Sequence, residues 1–286
     1  MPTNDKFCPY QSVTDRIVAA LEAGPGEWAA PWQRLALSGM PRNGATGRAY
    51  SGINIPLLAL GSGYSDCRWM TYKQASAKGA QVRKGEKAST VTFWKMLTKP
   101  TESGKVQTIP MLRVYSVFNA QQMDGIETAE PIPDIDPGER YTLAAKVLKD
   151  SGAHLRLGGD RACFIPSEDL IRLPKPGQFK NVESYWGTTL HELIHWTGHH
   201  SRLNRLTATR FGSDAYAMEE LVAELGSAFL CARLGIAAEL QHAEYMNSWI
   251  KVLKSDKRAI FAVAKAAQTA SEYLYPTPSV ESEEEE

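Results

Sequence analysis

Near the start of the chain Val13, Ile17, Val18 and Leu21 fall three and four apart, which marks one helix ending near Gly24-Pro25-Gly26. The pattern then changes. Short runs rich in aromatic and β-branched residues, at 69–72, 89–94 and 111–118, are separated by Gly and Pro and read as strands. Residues 57–60 and 73–78 read as short helices among them. The stretch 127–138 is acidic, holds three prolines, and sustains neither a helix nor a central strand. Beyond it 140–149 is helical, 162–166 and 169–173 look like a strand pair, and three helices follow near 182–197, 214–234 and 237–270. Gly198 suits the left-handed position that closes the first of these three. The chain therefore reads as α+β. An N-terminal α+β domain spans 1–126, a linker 127–138, and a mostly helical domain with a small sheet 139–286.

At 286 residues the chain is long enough for two ordinary domains. No run of 18 apolar residues predicts a membrane span, and the first residues lack the apolar core of a secretory leader. Cys8, Cys67, Cys163 and Cys231 are scattered, with neither zinc-ribbon nor disulfide spacing, which fits a reducing cytoplasm. The net charge of zero hides an asymmetry: from Arg34 to Arg113 there are 13 Lys and Arg against Asp66, Glu86 and Glu102. The balancing acids lie elsewhere, including the tail from Glu281 to Glu286. Polyanion binding belongs to the first half.

The sharpest chemical signal is His191-Glu-Leu-Ile-His195, inside an apolar-periodic stretch. Residues four apart share a helix face, so both imidazoles can reach one divalent metal at about 2.0–2.1 Å. Zinc is the expected metal and manganese the alternative. Glu192, one step off that face, stands where a general base for a water would stand. The competing reading is two core histidines that happen to fall four apart; an accidental HExxH is rare in a chain with six histidines, and the helical setting weighs against it further. For the third ligand the pattern HExxHxxGxxH has Gly198 in place but puts Ser201 where a histidine belongs. The alternative draws a glutamate from the next helix, where Glu220 and Glu224 lie four apart. Glu220 as ligand with Glu224 orienting a histidine is the economical assignment; Glu219, Glu224, His199 and His200 stay open as alternatives. Tyr216 could donate to a developing oxyanion, and an edge strand in 164–173 could take an extended peptide.

In the basic half, cations and rings are interleaved: Arg42, Arg48, Tyr50, Trp69, Tyr72, Arg83, Lys84, Lys87, Phe93, Trp94 and Lys95. Single-strand binders combine these types, cations following phosphates and exposed rings stacking on unpaired bases. The bland alternative is a solvated cationic face over a core built from Trp69, Phe93 and Trp94. No helix-turn-helix, zinc finger or RNP motif predicts sequence-specific duplex reading.

The stretches Pro41-Arg-Asn-Gly-Ala-Thr-Gly-Arg-Ala-Tyr-Ser-Gly-Ile-Asn54, Trp69-Met-Thr-Tyr-Lys-Gln-Ala75, Gly79-Ala-Gln-Val-Arg-Lys-Gly-Glu86 and Phe118-Asn-Ala-Gln-Gln-Met-Asp-Gly125 resemble the N-terminal domain of ArdC-type antirestriction proteins. His191-Glu-Leu-Ile-His-Trp-Thr-Gly-His199 and Glu219-Glu-Leu-Val-Ala-Glu224 resemble the metallopeptidase-like domain that follows in that family. The resemblance covers nearly the whole chain. It implies a single-stranded-DNA-binding domain joined to a zincin-like domain, acting in the protection of incoming plasmid DNA from host restriction. With these stretches included, the expected DNA contacts are Arg42, Asn43, Arg48, Tyr50, Asn54, Trp69, Tyr72, Arg83, Lys84, Lys87, Trp94 and Lys95. Two functional readings follow: a DNA binder that also cleaves a host restriction protein or another protein, and a DNA binder whose metal site is structural. A cytosolic peptidase without a nucleic-acid role would leave the basic half unexplained.

Overall fold

The computed structural model describes residues 7–61, 63–100, 106–127, 136–206, 212–238 and 243–277. The first helix, α1 (Pro9–Glu22), is followed at once by α2 (Pro25–Ser38). The Gly24-Pro25-Gly26 sequence that predicts an ending also supplies a beginning. Gly24 takes φ +106°, and Pro25 sits in the first turn, where a missing N–H costs nothing. Trp28, Trp32 and Leu35 then line the buried face of α2, with Trp28 and Trp32 meeting edge to face at 5.8 Å.

A β-rich portion follows: β1 (Arg42–Asn43), α3 (Asn54–Leu60), β2 (Arg68–Met70), α4 (Tyr72–Ala77), β3 (Gln81–Val82), β4 (Ser89–Pro100), β5 (Val106–Asn119) and β6 (Met123–Asp124). One sheet has the order β1-β2-β5-β4, parallel at β1–β2 and antiparallel elsewhere; β3 and β6 form a separate antiparallel pair. The strands expected at 89–94 and 111–118 are each longer, and β4 and β5 pair from Ser89↔Val117 to Pro100↔Val106. Asn54 joins α3 to this sheet, donating to the Thr92 carbonyl at 2.8 Å and accepting from the Thr92 N–H at 2.7 Å.

Of the expected linker, 128–135 lies outside the described residues, as does the acidic tail. The helix expected from Arg140 starts earlier: α5 (Pro137–Ser151) opens on a proline, and Asp136 caps it by accepting from the Gly138 N–H at 2.8 Å. A three-stranded sheet comes next, β7 (His154–Leu157), β8 (Cys163–Ile165) and β9 (Leu170–Leu173), in the order β7-β9-β8. The sequence reading has no strand at β7, because the alternation in His154-Leu-Arg-Leu157 is only four positions long and its parallel partner β9 lies beyond β8 in the chain. Then come α6 (Val182–Thr197) and α7 (Asp214–Leu234). The single helix expected over 237–270 is two, α8 (Met246–Ser255) and α9 (Ala259–Leu274), broken where the Asp256 carboxylate accepts from the Arg258 N–H at 2.8 Å.

One continuous apolar cluster takes in Ile17 of α1, Trp28 of α2, Leu57 of α3, Leu190 of α6, Phe229 of α7, Trp249 of α8 and Ile260 of α9. The N-terminal helices thus share a core with the C-terminal helices across the expected boundary. The β-rich portion keeps two small clusters of its own, around Trp69 and around Met70. No helix among the described residues is long and apolar enough to cross a membrane.

Candidate metal centre and nucleic-acid face

Helix α6 is buried around nearly its whole circumference. Asn181 caps it, accepting from the Ser184 N–H at 2.7 Å. Helix α7 lies close because Gly226 is opposite Ile194; a Cβ there would stand 2.9 Å from the Ile194 Cδ1. That approach brings the three donors together. His191 Nε2 and His195 Nε2 are 3.2 Å apart, and each lies 3.6 Å from a Glu220 carboxylate oxygen. Among the described residues these three form the one cluster with metal-ligand spacing. A tetrahedral ion with bonds of about 2.0–2.1 Å separates its ligands by roughly 3.3–3.4 Å, so a first-row divalent cation fits this triad. His199, expected as an alternative, is engaged elsewhere, its Nδ1 2.8 Å from the Ser201 hydroxyl.

The outer contacts differ from the expected assignment. Glu224 approaches His191 Nδ1 only to 3.7 Å. The tighter orienting contact belongs to Glu219, whose Oε1 lies 3.1 Å from His195 Nδ1. Arg205 holds Glu219 and also donates to the Ile194 carbonyl at 2.8 Å. Gly198 makes room for it. That glycine is right-handed at φ −75°, not left-handed as expected, and a Cβ there would meet Leu206 at 2.9 Å and Arg205 Nη2 at 3.0 Å. Space, not backbone freedom, explains this glycine. Arg205 carried no sequence signal, since its part depends on the turn that follows α6.

The electrostatics follow from packing carboxylates against imidazoles in a buried site. Burial disfavours charge on His195, but Glu219 and Glu220 outweigh it and push the ring up to about 10. Burial likewise opposes charge on Glu220, yet the two histidines hold it below the usual carboxylate range. Glu224, buried and repelled by Glu220, is pushed up to about 8. Glu192 is buried beside Cys163 of β8; burial first, then the Glu192 charge, raises that thiol. The Tyr216 hydroxyl lies 3.3 Å from that of Tyr245, and burial, Tyr245 and Glu220 all hold its proton on. Strand β8 is an edge of its sheet, as β7 is on the other side, and its Cys163 feels the Glu192 charge.

The expected DNA contacts separate by exposure. Trp69, Tyr50 and Asn54 are corrected to interior roles: Trp69 is 3% exposed in a cluster with Tyr50, and Asn54 ties α3 to β4. A ring buried on both faces cannot stack on a base. Asn43 accepts from the Ala45 N–H at 2.9 Å to shape its own turn. Arg83 is tied to Glu86 at 3.0 Å and to the Gln121 carbonyl. Arg42, Arg48, Tyr72, Lys84, Lys87, Trp94 and Lys95 are exposed. The pairing register adds Phe93, Arg113 and Tyr115 to the expected contacts. Phe93 pairs with Arg113 and Lys95 with Met111, so Phe93, Lys95, Arg113 and Tyr115 share one face of the β4–β5 hairpin. Phe93 and Tyr115 meet edge to face at 5.7 Å and are 47% and 41% exposed. Trp94, on the other face, is 56% exposed. A hairpin bearing exposed rings on both faces extends beyond the core that anchors its base at Val91 and Val117.

Residues 142–266 match the model of a zincin-like metallopeptidase family, and residues 8–118 that of the N-terminal domain of anti-restriction factor ArdC. The antirestriction ArdC protein of the R388 plasmid is similar in its metal-free crystal form, with 41% identity, a TM-score of 0.80 and coverage of 94% of this chain and 97% of that one. Its Mn(II)-bound form gives 39%, 0.78 and the same coverage. An Escherichia coli DNA primase TraC is 41% identical over 93% of this chain, but the chain spans only 27% of the primase; for a second TraC the share is 20%. The uncharacterized protein y4eC of Sinorhizobium fredii is 38% identical over 94% of this chain and 92% of its own length. With both segments matched in order and a solved relative aligned over almost its full length, this chain belongs to the ArdC family of antirestriction proteins.

Proposed function

We propose that this chain protects incoming DNA from restriction by binding single strands on the β4–β5 hairpin and by hydrolysing a protein at the α6–α7 metal centre. The observation that carries the hydrolytic part is the convergence of His191, His195 and Glu220 at 3.2–3.6 Å beside the buried Glu192. A site closed by four protein ligands has no use for a glutamate in that position. Zinc is the metal that this donor set favours, and the manganese of the R388 relative is the alternative.

A divalent cation held there supplies Lewis acidity, acidifying water and polarising a carbonyl. Glu192 takes the proton of the attacking water and returns it to the leaving amine. Tyr216 keeps its proton and can donate it as a hydrogen bond to the carbonyl oxygen as that oxygen gains charge. The free edge of β8 offers its backbone groups to an extended peptide, aligning it across the site. On the hairpin, Phe93, Tyr115 and Trp94 stack on unpaired bases while Lys95 and Arg113 follow the phosphates. A host restriction component is the substrate class that joins both parts to one role.

The test is metal analysis of the purified chain beside a Glu192→Ala variant assayed for protection of unmodified DNA entering a restricting host. The reading expects the variant to keep its metal and lose protection. Full protection by metal-loaded Glu192→Ala would leave DNA binding as the whole function.

A further inference from the structure

The loop between β1 and α3 faces the C-terminal ends of α7 and α9 across a cleft of about 840 Å³. Pockets that hold small organic ligands run to roughly 300–1,000 Å³. Neither the metal triad nor the exposed rings of the hairpin line this one. Met40, Ile55 and Phe229 form an apolar wall, and two arginines also line the cleft, Arg48 from the loop and Arg233 from α7. The cleft is held in shape by Gln268 of α9, whose side-chain carbonyl accepts from the Gly52 N–H of the loop. The same amide donates to Glu272 at 2.6 Å.

Arg233 is the group that calls for a ligand. Its guanidinium carbon lies 4.6 Å over the Tyr275 ring, and its Nη1 is buried with no hydrogen-bond partner among the described residues. Burial lowers its pKa, and the nearby Tyr275 and Glu272 offset that only in part. A buried donor left unsatisfied costs about 1–3 kcal/mol, and more on a charged group. An arginine in this condition is poised for an anion, and phosphate oxygens match its planar fork.

We propose that this cleft binds a nucleotide phosphate ester, its phosphate on Arg48 and Arg233 and its base against Met40, Ile55 and Phe229. Glu272, already accepting from Gln268, is placed on the same wall to accept from a sugar hydroxyl or a base amino group. The phosphate can belong to a free nucleotide or to the end of a DNA strand. The site is separate from the hairpin and does not rest on the single-strand reading.

The test titrates the full chain with deoxyadenosine 5′-monophosphate, with deoxyadenosine, and with short oligonucleotides carrying a 5′-phosphate or a 5′-hydroxyl. Saturable binding of the monophosphate is expected, weakened about tenfold or more by Arg48→Gln and by Arg233→Gln. Deoxyadenosine should bind at least about tenfold more weakly, since it lacks the charge-assisted contacts. If only the 5′-phosphorylated oligonucleotide shows the dependence on Arg48, the natural ligand is a strand end; if the monophosphate shows it as well, a free nucleotide suffices. Arg48 is exposed, so its variant tests the site even if Arg233→Gln fails to fold. Equal binding of deoxyadenosine, or phosphate binding indifferent to Arg48→Gln, overturns the proposal.

Discussion

Arg205 grips Glu219 at two points, Nε to Oε2 at 2.8 Å and Nη2 to Oε1 at 2.9 Å, and Glu219 in turn meets His195. A carboxylate on the far nitrogen of a ligating imidazole fixes its tautomer and orientation, and such partners typically contribute about 10–100-fold to metal affinity. Arg205→Ala should therefore weaken zinc or manganese retention by about that factor although Arg205 touches no ligand atom. Arg205→Lys should recover only part of the loss, because an ammonium cannot make both contacts. Competition with a chelator reads this directly; wild-type retention in Arg205→Ala would remove the arginine from the account.

The ligands themselves should rank differently from the groups around them. Glu220→Ala and His191→Ala should leave the protein metal-poor after dialysis and abolish the rise in melting temperature on adding metal, since ligand bound to the native state stabilises it. Glu219→Ala should fall between these and wild type, with Glu224→Ala milder because its contact with His191 is the longer one. A Glu220→Ala protein that still takes up one metal per chain would reopen the choice of third ligand.

Two aromatic residues of the basic half should behave in opposite ways. Trp69→Ala empties a buried site and should destabilise the fold by about 3–5 kcal/mol. Trp94→Ala or Phe93→Ala should leave the melting temperature nearly unchanged and lower single-strand affinity by about 1–3 kcal/mol per base lost, with the salt dependence kept. Filter binding and thermal melts on the same preparations separate the two; a stability loss at Trp94 with DNA affinity intact would refute the hairpin face.

The cations of the hairpin should show the complementary signature. Lys95→Ala and Arg113→Ala should weaken binding about equally for any sequence and flatten the salt slope by roughly one unit each. Arg83→Ala, whose guanidinium is already committed to Glu86 and Gln121, should act mainly through stability. A salt slope changed by Arg83 and not by Lys95 would move the phosphate path to the α4–β3 side.

Close packing explains the last expectation. Gly198→Ala places a Cβ against Leu206 and the Arg205 guanidinium. It should cost about 1–3 kcal/mol and lower metal affinity in the same direction as Arg205→Ala, because one displacement loosens both. Calorimetry with and without metal distinguishes this coupled loss from a purely local one.

The α+β class, the HExxH helix and the pairing of α6 with a glutamate-bearing α7 were legible in the sequence. Each is written in local spacing: two histidines four apart, and Glu220 and Glu224 four apart on the helix that follows. The α1–α2 and α8–α9 breaks were ambiguous because proline and aspartate both end helices and begin them. What the sequence could not convey was everything that depends on residues far apart in the chain. Glu219 rather than Glu224 makes the closer contact with a histidine of the triad because of where the turn after α6 carries Arg205. Trp69 is core while Trp94 is exposed because only β-pairing decides which part of a strand lies over α3 and which extends past it. The cleft between Arg48 and Arg233 exists only once the N-terminal loop is pinned to α9. Local periodicity sets elements and the residues available on each face; long-range packing decides which of them meet.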